Sequence, residues 1–136
     1  MSPDQYIQQQ PSGWQAVLKN IHAIILDKDK TVVPVVEPMM RNEMIVYKEK
    51  GMMKYGLAGV KKYMSLHLLP MYMNVEIHAT YKGLLNKASF QKGCINFSSA
   101  DEMPTVIVQQ LIHDCSKIDL QKVRDNYAKS KKAAKQ

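Results

Sequence analysis

The chain has few cysteines, and their small number excludes a disulfide scaffold. The chain has 136 residues and two cysteines, Cys94 and Cys115, which form neither a C-x-x-C pair nor a disulfide framework. Both lie in apolar stretches, so we expect two reduced, buried thiols. A chain of this length can bury a core without disulfides or metal ions.

Long hydrophobic runs are missing as well. None approaches the roughly 20 apolar residues that a membrane-spanning helix needs. The first thirteen residues, MSPDQYIQQQPSG, are polar and lack the apolar region of a signal peptide. We therefore expect a cytoplasmic protein with no membrane partner.

The common catalytic motifs are also missing. The sequence contains no Gly-rich phosphate loop, no G-x-S-x-G elbow and no H-E-x-x-H, which are motifs that position reactive groups in enzymes. A cysteine–histidine dyad would need an activated thiol, whereas both cysteines are expected to be buried. The sequence predicts that the protein is not an enzyme.

The net charge of +7 is concentrated at one end of the chain. Four lysines lie in the last eight residues, which leaves 7 − 4 = +3 for the rest. The chain has two arginines, and no pattern of arginines among aromatic residues indicates stacking on bases. We predict a single domain over residues 1–128, a basic disordered tail over residues 129–136, and no nucleic-acid partner.

Hydrophobic periodicity and turn residues predict an α+β protein. An S-x-x-Q capping box indicates that the first helix begins at Ser12, and Pro34 and Pro38 make residues 31–41 an extended edge or loop. Strands are expected at 44–48, 53–57, 63–68 and 93–97, and helices at 75–88, from Pro104 and after Asp119. This order predicts an antiparallel sheet of about four strands packed against helices, with a helical C-terminus.

Methionine and tyrosine are concentrated in the middle of the chain. Eight of the ten methionines fall within residues 39–73, with four tyrosines nearby. One interpretation is soft packing around a small sheet, and the other is an adaptable surface for a small ligand or a protein, because methionine repacks easily. The second interpretation makes the candidate surface Met53, Tyr55, Tyr63, His67 and Lys92.

Several segments together resemble the YdhG-like domains, a bacterial family. They are the helix around residues 14–26, the stretches VYKEKGMMKYGLAGVKKYMSLHLLPMYMN and YKGLLNKASFQKGCINFSSADEMP, and the helix VIVQQLIHDC. Within them, Lys92-Gly93 opens a strand and an acidic-Met-Pro step at 101–104 opens a helix. The resemblance covers roughly residues 4–118.

The resemblance implies a fold related to frataxin and CyaY, and with it a function. YdhG-like proteins have been linked to iron delivery, which implies iron as cofactor and iron–sulfur or haem assembly proteins as partners. Carboxylate oxygens suit such a hard, exchangeable ion, and the implied ligands are Asp27, Asp29, Glu37 and Glu43. Lysines and an arginine interrupt these acids, and the alternative is a binding module that uses the Met/Tyr-rich sheet surface without a metal.

Overall fold

The computed structural model describes residues 1–39 and 41–126. Two helices precede a four-stranded meander, and two short strands and further helices follow. A last helical segment covers residues 120–126, and the predicted basic tail lies outside the described residues. The elements are α1 (Pro3–Gln8), α2 (Ser12–Lys28), β1 (Val32–Met39), β2 (Asn42–Glu49), β3 (Met52–Gly59), β4 (Met64–Leu68), α3 (Leu69–Tyr72), α4 (Val75–Leu84), β5 (Ser89–Phe90), β6 (Cys94–Phe97), a 3₁₀ turn (Ala100–Glu102) and α5 (Thr105–Ser116).

All six strands form one antiparallel sheet in the order β1-β2-β3-β4-β6-β5. The α+β class is therefore confirmed, and the expected count of about four strands is wrong. The first additional strand is β1, which accommodates Pro34 and Pro38 because it pairs only with β2 at the sheet edge. The second is β5, two residues long, which was too short to give a periodic signal.

Helix boundaries also depart from the sequence pattern. Pro11, not Ser12, precedes α2, and none of the described side chains caps that helix. The Gln15 amide donates to the carbonyls of Gln8 and Gln10 instead, since the preceding helix α1 brings them within reach. The capping box lies at the start of α1, between Ser2 and Gln5. The predicted helix over 75–88 ends at Leu84.

Helices α2 and α5 pack together and cover one face of the sheet. The alternation of side chains along each strand directs Ile45, Tyr47, Leu57 and Leu66 toward these helices, and all four are fully buried. We call this side the helix face and the opposite side the second face. None of the described helices is both long enough and apolar enough to cross a membrane.

A shift in strand register turns Lys54 into the core. Tyr47 pairs with Tyr55 and Lys48 pairs with Met53, so Lys54 is an extra residue in β3 without a partner in β2. Such a bulge re-aims the side chains beside it. Met53 packs on the second face, whereas Lys54 and Tyr55 are both fully buried.

The Lys54 ammonium lies between two carboxylates. Its Nζ is 3.0 Å from Asp29 Oδ2 and 3.1 Å from Glu49 Oε2. The other oxygen of Asp29 accepts from the Thr31 backbone N–H at 3.0 Å, and the Tyr55 hydroxyl donates to Oδ2 at 2.7 Å. Removing one member of such a buried group leaves a charge uncompensated, which typically costs more than the intact group contributes.

We predict that Lys54→Met unfolds at a much lower denaturant concentration than the parent protein. The variant keeps the apolar stem but leaves Asp29 and Glu49 buried without their cation, a change worth about 3–5 kcal/mol. Urea unfolding followed by circular dichroism measures this loss. Lys62→Met, at an exposed position, is the matched control, and equal stability of the two variants would contradict the assignment.

Asp29 should also make stability depend on pH. Burial raises the pKa of this carboxyl, but hydrogen bonds from Thr31, Tyr55 and Lys54 outweigh it and hold the pKa below its ordinary value. The contribution of Asp29 is then complete above about pH 3.9, the unfolded value, and is lost as pH falls through the lower folded value. The stability gap between the parent protein and Asp29→Asn should narrow in urea titrations below that pH. A gap that stays constant would contradict the lowered pKa.

Candidate functional site

An apolar cluster separate from the main core lies on the second face. Met44, Val46 and Ala58 are its buried members, although they alternate with residues that point to the helices. All of its members lie on β1, β2, β3 or directly after β3. Four of them are half-buried, namely Val35, Met39, Met53 and Val60.

Glycine at position 56 lets two methionines fold over the strand. A Cβ at Gly56 would lie 2.7 Å from Met53 Cε and 2.9 Å from Met44 Sδ, closer than these groups can approach. The thioether ends therefore occupy the space that a larger side chain would fill. This gives the second face an apolar surface over β2 and β3.

Polar side chains continue the second face over β4 and β6. Ser65 pairs with Asn96 in register, and His67 pairs with Cys94. Each strand presents its polar residues two positions apart, which places them on the same side of the sheet. The Ser65 hydroxyl donates to Asn96 Oδ1 at 2.8 Å and lies 3.4 Å from His67 Nε2. The Cys94 thiol donates to Gln91 Oε1 at 3.2 Å.

His67 and Cys94 are both uncharged at neutral pH. Burial lowers the pKa of His67, so the imidazole is neutral. Burial raises the pKa of Cys94, and a hydrogen bond with Ser65 offsets only part of that effect. A protonated thiol is a poor nucleophile and a poor metal ligand, so this arrangement suits hydrogen bonding better than covalent chemistry.

A small cavity of about 160 Å³ lies where the apolar and polar parts of the second face meet. Tyr63 stands at its edge and is 40% exposed, while Ser65 is 4% exposed. Apolar residues line one side, and hydroxyl, amide, imidazole and thiol groups line the other. The full set is Asn42, Met44, Ala58, Val60, Tyr63, Ser65, His67, Gln91, Cys94 and Asn96.

The four carboxylates implied as iron ligands have separate surroundings. Asp29 is enclosed in the core with Lys54, and Glu37 Oε1 lies 2.9 Å from Lys48 Nζ. Asp27 is exposed beside Lys28, and Glu43 is exposed at the start of β2. Among the described residues, no three histidine, cysteine or acidic side chains are close enough to hold a metal ion.

The fold separates the five residues of the predicted ligand surface into three locations. Met53, Tyr63 and His67 belong to the second face. Tyr55 lies on the helix face, fully buried and hydrogen-bonded to Asp29. It keeps the regular alternation with Leu57, and the bulge at Lys54 turns Met53 to the opposite face. Lys92 lies after β5, with its Nζ 4.8 Å from the centre of the Tyr72 ring.

Sequence reasoning missed Ser65, Cys94 and Asn96, which complete the polar half of the cavity. The signal was present in the spacing, since S-x-H in β4 and C-x-N in β6 each place two polar groups on one face of a strand. What the spacing could not show is that β6, distant in the chain, pairs directly with β4.

Comparisons with known proteins identify no relative of this chain. No protein-family model, no curated protein and no solved structure matches it. The resemblance to YdhG-like and frataxin-type domains therefore stays a prediction, and any function has to be argued from the geometry of the molecule itself.

Proposed function

We propose that this protein is a binding domain, without catalytic activity, that takes a small uncharged ligand in the cavity of the second face. The observation that carries the proposal is the pairing of Ser65 and His67 with Asn96 and Cys94 on adjacent strands. These four groups face the same side, next to the apolar surface of β2 and β3. Ligand sites commonly combine apolar walls with a few converging polar groups.

The chemistry of the walls supports an amide, a heterocycle or an alcohol as the ligand. Asn96, His67 and Ser65 can both donate and accept hydrogen bonds, so they can match a ligand that carries both kinds of group. Met44, Ala58 and Val60 provide apolar contact on the other side. A cavity of about 160 Å³ has room for roughly five water molecules at 30 Å³ each, which suits a compact ligand or the compact end of a larger one.

The electrostatics support a neutral ligand over an ion. Among the described residues, no carboxylate, lysine or arginine lines the cavity, and the pKa shifts of His67 and Cys94 favour their neutral forms. The cation nearest in register on β2, Lys48, is paired with Glu37. An ion entering this cavity would lose hydration without gaining a counter-charge.

We predict that small neutral amides bind this cavity and that His67→Phe weakens their binding. The probe is nicotinamide, titrated into ¹⁵N-labelled protein and followed by backbone-amide NMR. Shifts should appear at Ser65, His67 and Asn96, and the phenyl ring should reduce affinity about 5- to 10-fold, since one net hydrogen bond is worth roughly 1 kcal/mol.

His113→Phe supplies the matched control, because this histidine is exposed on α5 and does not line the cavity. It should bind nicotinamide as the parent protein does. Nicotinate, which has the same ring and a negative charge, should bind more weakly than nicotinamide. Tighter binding of nicotinate, or equal shifts in the two phenylalanine variants, would count against the proposal.

The iron-binding role stays a prediction that the same spectra can test. Anaerobic addition of Fe²⁺ broadens the signals of residues near a bound paramagnetic ion. An iron site formed by the implied ligands predicts selective broadening around Asp27, Asp29, Glu37 and Glu43 at near-stoichiometric metal. Because Asp27, Asp29 and Glu37 each pair with a different lysine, we expect no such selective broadening, and its appearance would restore the metal-binding interpretation.

A further inference from the structure

A second cavity lies between α3, α4 and the loop that joins β5 to β6, and it shares Gln91 with the first cavity. Its volume is about 410 Å³, within the range of about 300–1,000 Å³ found for ligand pockets. Its walls include the side chains of Tyr72, Val75 and Phe90 and, at the base, the buried Met71. Tyr72 is 49% exposed and Val75 is 83% exposed, so the apolar walls are open to solvent.

Two lysines give this cleft a positive charge. Lys82 and Lys92 line it, and none of the described aspartates or glutamates does. Within the part of the chain that the structure describes, neither lysine forms an ion pair. The Lys92 ammonium lies 4.8 Å from the centre of the Tyr72 ring, so a cation and an aromatic surface occur side by side.

The local structure holds these groups in place. Gly93 allows the Tyr72 ring to pack against the backbone, since a Cβ there would lie 3.1 Å from Tyr72 Cδ2. His78 donates from Nε2 to the Gln91 carbonyl at 3.0 Å. The His78 ring also meets the Phe90 ring nearly at a right angle, with centroids 5.8 Å apart. The Lys-Gly pair at 92–93 therefore supplies both the cation and the space for the aromatic ring.

We infer that this cleft binds a small organic anion with a flat apolar body, such as an aromatic carboxylate. The apolar body would lie between Tyr72, Val75 and Phe90, and the carboxylate would meet Lys82 and Lys92. The charge of the lining residues determines the charge of the ligand, because two lysines with no carboxylate beside them attract an anion. This inference does not depend on the cavity around His67.

The test uses 3-phenylpropionate and its neutral counterpart 3-phenylpropanol, each titrated into the ¹⁵N-labelled full chain. A ligand of this size should bind the parent protein with a dissociation constant of roughly 1–10 mM. The acid should shift the amide signals of Tyr72, Val75, His78 and Lys92. The alcohol should bind several-fold more weakly, since it lacks the charge.

Separate variants then remove the lysine charges and the tyrosine ring. Lys82→Met/Lys92→Met should weaken binding of the acid about five-fold, the scale expected for two exposed ion pairs, and should leave binding of the alcohol unchanged. Tyr72→Ala should weaken both ligands. The matched control Lys19→Met/Lys117→Met removes two exposed lysines outside the cleft and should bind as the parent protein does.

Several results would overturn the inference. They are equal binding of acid and alcohol, equal losses in the two lysine variants, and shifts confined to other surfaces. Shifts that depend on protein concentration before any ligand is added would show that a second copy occupies the cleft. His67→Phe should not change this binding, so failure here and failure at the second face can be told apart.

Discussion

The Lys54 ammonium is enclosed in the core, and the elements around it supply the carboxylates that balance its charge. Its two carboxylate partners come from different elements, since Asp29 follows α2 and Glu49 ends β2. The Ser116 carbonyl at the end of α5 lies 3.4 Å from the same nitrogen. A charge that must stay paired therefore ties the ends of two helices to the central hairpin of the sheet, because separating any of them would leave an ion in a poorly solvated site.

The bulge that directs Lys54 inward also determines the second face. Without the extra residue, strict alternation along β3 would place Lys54 on the same side as Gly56 and Ala58. A lysine there would add a cation to the Met44–Val46–Ala58 cluster and remove the compensation of Asp29. The same irregularity thus keeps the Lys54 cation away from the apolar cluster of the second face and supplies it to the core.

The two cavities differ in charge because of the elements that form them. The cavity around His67 lies on strands, where neighbouring side chains are close together and half-buried, and where burial favours the neutral forms of His67 and Cys94. The cleft at Tyr72 lies among a short helix, the side of α4 and a loop. Long lysine side chains remain hydrated there, so their charges persist at little cost.

The sequence by itself determined the α+β class, the strands with clear alternation and the helices after Asn74 and Pro104, because periodicity and capping act over a few residues. It also indicated Met53, Tyr63 and His67 as surface residues. The tertiary structure alone decided that Tyr55 and Asp29 are enclosed with Lys54, that β6 pairs with β4, and that Lys92 meets Tyr72. Each of these depends on a register shift or on contacts between distant segments, and a local pattern carries no information about which distant residue will be a neighbour.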